Sequence, residues 1–219
     1  MMVLTVRSVR ISSGSTVGQD APVTSAPETS ERVASILAAA CRVVVREGAH
    51  GLRMASVAQE AGVSKALVHY YFSTRQELMR SAFAWSEEQW HAALGEEVGM
   101  LTTGAERLER VLLMSIETAG PFSNQRALWN EVWSSLRFDD ALRPLVEASY
   151  RGWLDRLRGL IEEGRRDTSI PRALVATEAA WRLAAVGDGL DSMLYLDLLG
   201  RDDARELMLG SIRRELAGE

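Results

Sequence analysis

The sequence holds one cysteine, Cys41, and one lysine, Lys65, in 219 residues. A lone thiol excludes an intrachain disulfide and every zinc pattern built on paired cysteines, and it fits a reducing, cytoplasmic setting. Histidine is as scarce (His50, His69 and His91). No HExxH, glycine-rich phosphate loop or GxSxG pattern is present, so a metal site, a cofactor or an enzyme is not expected. The GDGLD stretch at 187–191 lacks the alternating ligands and terminal Glu of a calcium loop. No apolar run approaches the ~18 residues of a membrane span, because Arg, Asp or Glu interrupts each one. Basic charge is not in excess either: 25 Lys+Arg against 30 Asp+Glu give −5, without the overall basicity that drives non-specific nucleic-acid binding. Five prolines and 17 glycines, with 47% hydrophobic residues, describe an ordinary globular chain of one large domain or two small ones.

Residues 1–29 lack an apolar period and read as a flexible tail. Its opening MMVLTVRSVRISS has no apolar core of a secretion signal. From Ser30 onward amphipathic helical patterning runs to the C-terminus, with no sustained strand alternation, so the fold is expected to be all-α with about nine helices. Val33, Ile36, Leu37, Ala40, Cys41 and Val44 stripe a first helix that ends at Gly48. Short helices follow over about 54–61 and 64–72. A fourth opens at Ser73-Thr74, where Ser73-x-x-Gln76 and Thr74-x-x-Glu77 both read as capping boxes, and runs to about Val98. Breakers divide the rest into helices near 105–119, 123–138, Asp140 to the Gly164 region, Pro171 to about Leu199, and 202–217.

Residues 55–72 have the pattern of a helix-turn-helix. Two short helices cross steeply only where a small residue sits at the contact, here Ala58, and the turn needs a residue at ease with positive φ, here Gly62. Val63 and Val68 supply apolar packing, and Ser64 is placed to cap the second helix. A plain helical hairpin would use similar turn chemistry. Against it, the second helix exposes Lys65, His69 and Tyr70 opposite Val68, which suits a groove better than a core.

These residues resemble the TetR family of bacterial transcriptional regulators. The likeness rests on the first helix with Gly48, the run Val57-Ala58-x-x-Ala61-Gly62-Val63-Ser64-Lys65, the cluster His69-Tyr70-Tyr71-Phe72, and Arg75-x-x-Leu78. More weakly, Ala127-Leu128-Trp129 and Gly187-Asp188-Gly189-Leu190 resemble the ligand domain of the branch that includes a choline-responsive betaine regulator. The resemblance implies a DNA-binding unit over 30–77 and a ligand-binding and dimerisation unit over 78–219. It implies that the second helix of the motif enters the major groove of double-stranded operator DNA, with Arg53, Ser64, Lys65, Ala66, His69 and Tyr70 at the contact. His69 stands where the family usually has a tyrosine, and Arg53 where it often has a threonine cap. Arg75 matches a lysine that clamps a phosphate. Phe72 is assigned to packing.

The charge then divides. Residues 1–80 carry nine basic and six acidic side chains, for +3, and residues 81–219 carry 16 basic and 24 acidic, for −8. All six tryptophans lie in the acidic part. Aromatic faces beside carboxylates suit a cationic or amphipathic small molecule, although aromatics more commonly fill a helical core. The expected lining is Trp85, Met114, Glu117, Phe122, Trp129, Trp133, Trp181 and Asp188. Surplus apolar residues on the last two helices, Leu190, Met193, Leu194, Leu198, Leu207, Leu209, Ile212 and Leu216, are expected to join two copies into a homodimer, as the family resemblance implies. The reading is a ligand-responsive repressor released from a palindromic operator by its effector. A helical sequestering protein, or a small all-α enzyme using the Asp188/Trp181 face, each with a vestigial motif, are the alternatives.

Overall fold

The computed structural model describes residues 26–117, 123–137 and 140–217. Nine α-helices and no strand are found among them: α1 (Ala26–Glu47), α2 (Met54–Ala61), α3 (Lys65–Tyr71), α4 (Arg75–Gly99), α5 (Gly104–Ser115), α6 (Ser123–Ser135), α7 (Arg143–Asp167), α8 (Ala176–Tyr195) and α9 (Arg201–Ala217). Short 3-10 turns at Ala49–Gly51 and Asp140–Leu142 precede α2 and α7. Residues 1–25 of the expected tail, and Phe122, lie outside the described residues, while 26–29, expected in the tail, form the first turn of α1.

The helix-turn-helix forms as its turn chemistry requires. Gly62 ends α2 at φ 66°, a left-handed conformation that costs glycine little. Ser64 Oγ accepts from Leu67 N at 3.1 Å and caps α3. At α4 only one of the two expected capping residues acts: Thr74 is the N-cap and accepts from Glu77 N, while the Glu77 carboxylate reaches back to the Ser73 backbone N–H. Thr103 and Glu106 form a full capping box on α5.

Three boundaries differ from expectation for local reasons. α5 stops at Ser115, where Ile116 and Glu117 donate to carbonyls three residues back and tighten the last turn. Pro171 does not start α8. Thr168 takes φ 71°, Ile170 N bonds back to Gly164 O, and Leu174 N bonds to Pro171 O, so the chain turns before re-entering a helix at Ala176. α8 then ends at Tyr195, because Leu198 N returns to Met193 O and Asp197 adopts φ 53°. Gly104 and Gly164 mark the α5–α7 crossing, where a Cβ on Gly104 would stand 2.2 Å from Gly164 N.

Two apolar cores result. The first joins α1 to α4 through Ile36, Val43, Val57, Val68, Phe72, Leu78 and Phe83, and takes in Leu128 and Val132 of α6 and Val146 of α7. Phe72 is buried there. The second fills the space among α4, α5, α7, α8 and α9 around Leu94, Leu112, Leu157, Ile161 and Leu183. Cys41 is half-buried against the first core, where its thiol donates to Ala82 O and burial pushes its pKa up to about 12, so it is a packing residue.

Candidate functional site

The first candidate face lies on α3. Val68 points into the core, and Ser64, Lys65, Ala66, His69 and Tyr70 point out, with Tyr70 79% exposed. Arg53, just before α2, is also exposed and gives that helix no side-chain cap. A buried apolar seam therefore holds a short helix whose outer surface is donors and an aromatic ring.

Arg75 departs from its expected role as a free phosphate clamp. Its guanidinium is partly buried, with Nε donating to Leu52 O at 2.9 Å and Nη2 to Ala49 O. The physical reason is local. Ala49 opens the 3-10 turn and Leu52 follows it, and an arginine at the start of α4 donates to both carbonyls. From the other side Glu131 of α6 accepts from Ala49 N at 3.3 Å. The segment leading into the helix-turn-helix is thus held between α4 and α6.

α6 faces two ways. Leu128 and Val132 sit in the first core, while Gln125, Arg126, Trp129, Asn130 and Trp133 line a cavity of about 340 Å³. Its other walls come from α4 (Glu87, Trp90, His91), α5 (Leu112, Met114), α7 (Ser149, Tyr150, Trp153) and α8 (Gly187, Asp188, Asp191). Of the expected lining, Met114, Glu117, Trp129, Trp133 and Asp188 are brought together there. Trp85 is not: it stands about 200° around the helix from Glu87 and packs on the first core. Trp181 is 56% exposed, in a separate shallow groove. Sequence reasoning missed Glu87, His91, Arg126, Tyr150 and Asp191, which come from helices distant in the chain. The Glu87/His91 pair, one turn apart on α4, was the one available signal. Among the described residues, no group of three His, Cys, Asp or Glu is arranged to hold a metal.

The aromatic wall is continuous. Trp129 and Trp133 have ring centroids 5.8 Å apart, and Tyr150 lies 6.5 Å from the first and 6.0 Å from the second. Four carboxylates accompany it, and three are engaged. Glu87 accepts from Trp129 Nε1 at 2.9 Å, from Gln125 Nε2 at 2.6 Å and from the Ser149 hydroxyl. Glu117 pairs with Arg110 at 2.6 Å. Asp191 Oδ1 stands 2.6 Å from Arg126 Nε, a charge contact not aligned as a hydrogen bond, and Oδ2 accepts from Asn130 at 3.2 Å. Asp188 receives only the Tyr150 hydroxyl, at 2.5 Å, and has no ion pair among the described residues.

Burial raises the Asp188 pKa above the ordinary carboxylate range, and the Tyr150 hydrogen bond partly opposes it. Asp191 is raised by burial too, against the pull of Arg126. Burial pushes Tyr150 up, so its phenol stays a donor. His91 is lowered by burial and by the Arg156 guanidinium.

The expected dimer residues divide. Leu190, Leu194 and Ile212 are buried in the second core, and Leu209 and Leu216 pack on it, because helical spacing turns them inward. Met193, Leu198 and Leu207 are exposed, joined by Tyr195 and Leu196, which sequence reasoning missed. Ala185, Ser192, Met193 and Leu196 form an exposed strip along α8.

Comparison with known proteins accounts for this arrangement. Residues 36–82 match the model of bacterial regulatory proteins of the tetR family, and residues 104–217 match the C-terminal model of BetI-type transcriptional repressors. The Escherichia coli transcriptional regulator BetI is 28% identical over 145 residues, 65% of this chain and 71% of that one. A TetR-family regulator from Rhodococcus superposes with a TM-score of 0.77 at 28% identity, covering 85% of this chain and 99% of its own. A regulator from Saccharomonospora viridis, solved in complex with choline, gives 0.75 at 26%, covering 84% and 96%. Among the described residues no helix is long and apolar enough to cross a membrane. With an exposed helix-turn-helix at one end and a BetI-type helical body at the other, the chain belongs to the TetR family and is a transcriptional regulator.

Proposed function

We propose that this regulator is a homodimeric repressor that leaves its operator when a small organic cation fills the cavity. The observation that carries the effector class is Asp188: three of the four cavity carboxylates are engaged, and this one has only a phenol for a partner. An aromatic wall beside an unpaired carboxylate stabilises a quaternary ammonium by cation–π and charge attraction together. The choline held by the Saccharomonospora viridis neighbour supports the same chemistry.

In this reading residues 30–77 carry DNA contact and 78–219 carry effector binding and pairing. Ser64, Lys65, Ala66, His69 and Tyr70 of α3 face the major groove, with Arg53 on the flanking backbone. Arg75 acts as a strut. The exposed α8 strip and Leu207 of α9 meet their copies about a two-fold axis, which sets two α3 helices at palindromic half-sites. A ligand that draws Trp129 and Asp188 together shifts α6. Leu128, Val132 and the Glu131–Ala49 contact carry that shift to α1 and to the strut on α4. The ligand's differential affinity for the two arrangements is the whole source of the response.

The test is selection of bound fragments from genomic DNA, followed by mobility shift with and without choline. The expected outcome is a specific palindromic fragment whose complex choline dissociates. Failure to enrich any fragment would instead favour a sequestering protein, and consumption of the cation would favour an enzyme.

A further inference from the structure

Of the six tryptophans, only Trp133 and Trp181 are exposed, 52% and 56%, and both line the same groove outside the cavity. The groove runs between the end of α6, the first half of α7 and the start of α8. Its floor is apolar, with Leu136, Val146 and Leu154, and its rim carries Arg137, Arg143, Glu147 and Arg151, with Arg143 paired to Asp140 and Arg151 to Glu147. Trp133 and Tyr150 belong to both groove and cavity. The two spaces therefore adjoin at these rings, and Trp133 is half exposed where they meet.

Two large indoles left in water beside an apolar floor have surface to gain from a cover. The cavity alone has room for on the order of eleven water-sized groups, enough for choline and a few carbons more but not for a long-chain cation. We infer that the effector is an amphiphilic cation: its ammonium head sits at Asp188 inside the aromatic wall, and its hydrocarbon tail passes over Trp133 and lies in the groove against Trp181 and Leu154. This rests on the cation reading above and extends it to a class of molecule. Continuity of the lining through Trp133 and Tyr150 favours the tail over any other occupant.

Choline, hexyltrimethylammonium, decyltrimethylammonium and dodecyltrimethylammonium form the test series, the last two too long for the cavity alone, titrated into the full-length protein by calorimetry. Affinity is expected to rise about fourfold per added methylene until the groove is filled. In Trp181→Ala that gain shrinks while choline binding is unchanged, and Trp181→Phe retains most of it. Asp188→Asn weakens every member of the series by the same factor. Affinity independent of chain length, with choline still bound, overturns the tail subsite and leaves the cation reading standing. Absence of binding by every member overturns both. Sedimentation supplies the remaining arm: if Trp181→Ala dissociates the dimer and leaves the chain-length gain intact, the groove is a contact between copies and the inference is wrong.

Discussion

The N-terminal and C-terminal parts of the molecule use the same materials to opposite ends. α1 to α4 bury their apolar faces and leave the side chains proposed to meet DNA exposed, all within one stretch from Arg53 to Tyr70. The body turns polar and aromatic side chains inward, drawing a few from each of α4, α5, α6, α7 and α8 around one cavity. A surface that reads a groove needs donors held rigidly in contact with solvent. A site for a small cation needs a partly dry space in which one carboxylate goes unpaired. Of the four cavity carboxylates, Glu117 and Asp191 have arginine partners and Glu87 is saturated by three neutral donors, which leaves Asp188, with a single phenol, the most open to a cation.

The two parts are not separate bodies, since Leu128 and Val132 of α6 complete the N-terminal core. Leu128→Ala breaks the comparison most severely. It removes a fully buried side chain at the joint and should cost about 2–5 kcal/mol in chemical denaturation, with both parts losing protection together. Loss confined to one part would mean that α6 does not bind them into one unit. A smaller and one-sided effect is expected of Lys65→Ala: about 1–3 kcal/mol of operator affinity, read by titration of labelled DNA, with dimer and effector affinity unchanged. Normal operator binding in that variant would remove α3 from the interface.

The smallest effect is on pH dependence. Asp188 must be ionised to attract a cation, and burial raises its pKa, so effector affinity should decline on acidification from a pH above the ordinary carboxylate range of about 3.9. In the absence of effector the sign for stability is the reverse. A carboxyl that holds its proton more tightly when folded contributes stability at low pH, and that contribution is lost as pH rises through the folded-state pKa. Calorimetric affinities of choline across the acidic range check the first statement, and a flat profile above pH 4 would contradict it.

What the sequence made legible follows the same division. Ala58, Gly62, Ser64 and Val68 constrain one another over a few residues, so the helix-turn-helix and its exposed face could be read without coordinates. Helix count and class followed from periodicity. The cavity could be placed only in part, because Glu87, Arg126, Tyr150 and Asp191 meet through packing and nothing in their local spacing announces it. Trp85 and Trp181 misled for a related reason: a large aromatic on the right helix still has to be on the right side of it, or in the right turn. Arg75 shows a third limit, since an arginine near a proposed DNA face looks free until the carbonyls of Ala49 and Leu52 are seen to accept from it. Leu190, Leu194 and Ile212 were counted as surplus because their share of the second core was not visible from composition.

The central claim is that the unpaired Asp188 carboxylate makes DNA occupancy respond to a cation. Its most direct test is release of the operator complex by choline, followed by fluorescence anisotropy, for the wild type and Asp188→Asn in parallel. The account predicts equal operator affinity without choline, release of the wild type on titration, and retention of the variant on DNA at the same concentrations. Equal release of both proteins would contradict it.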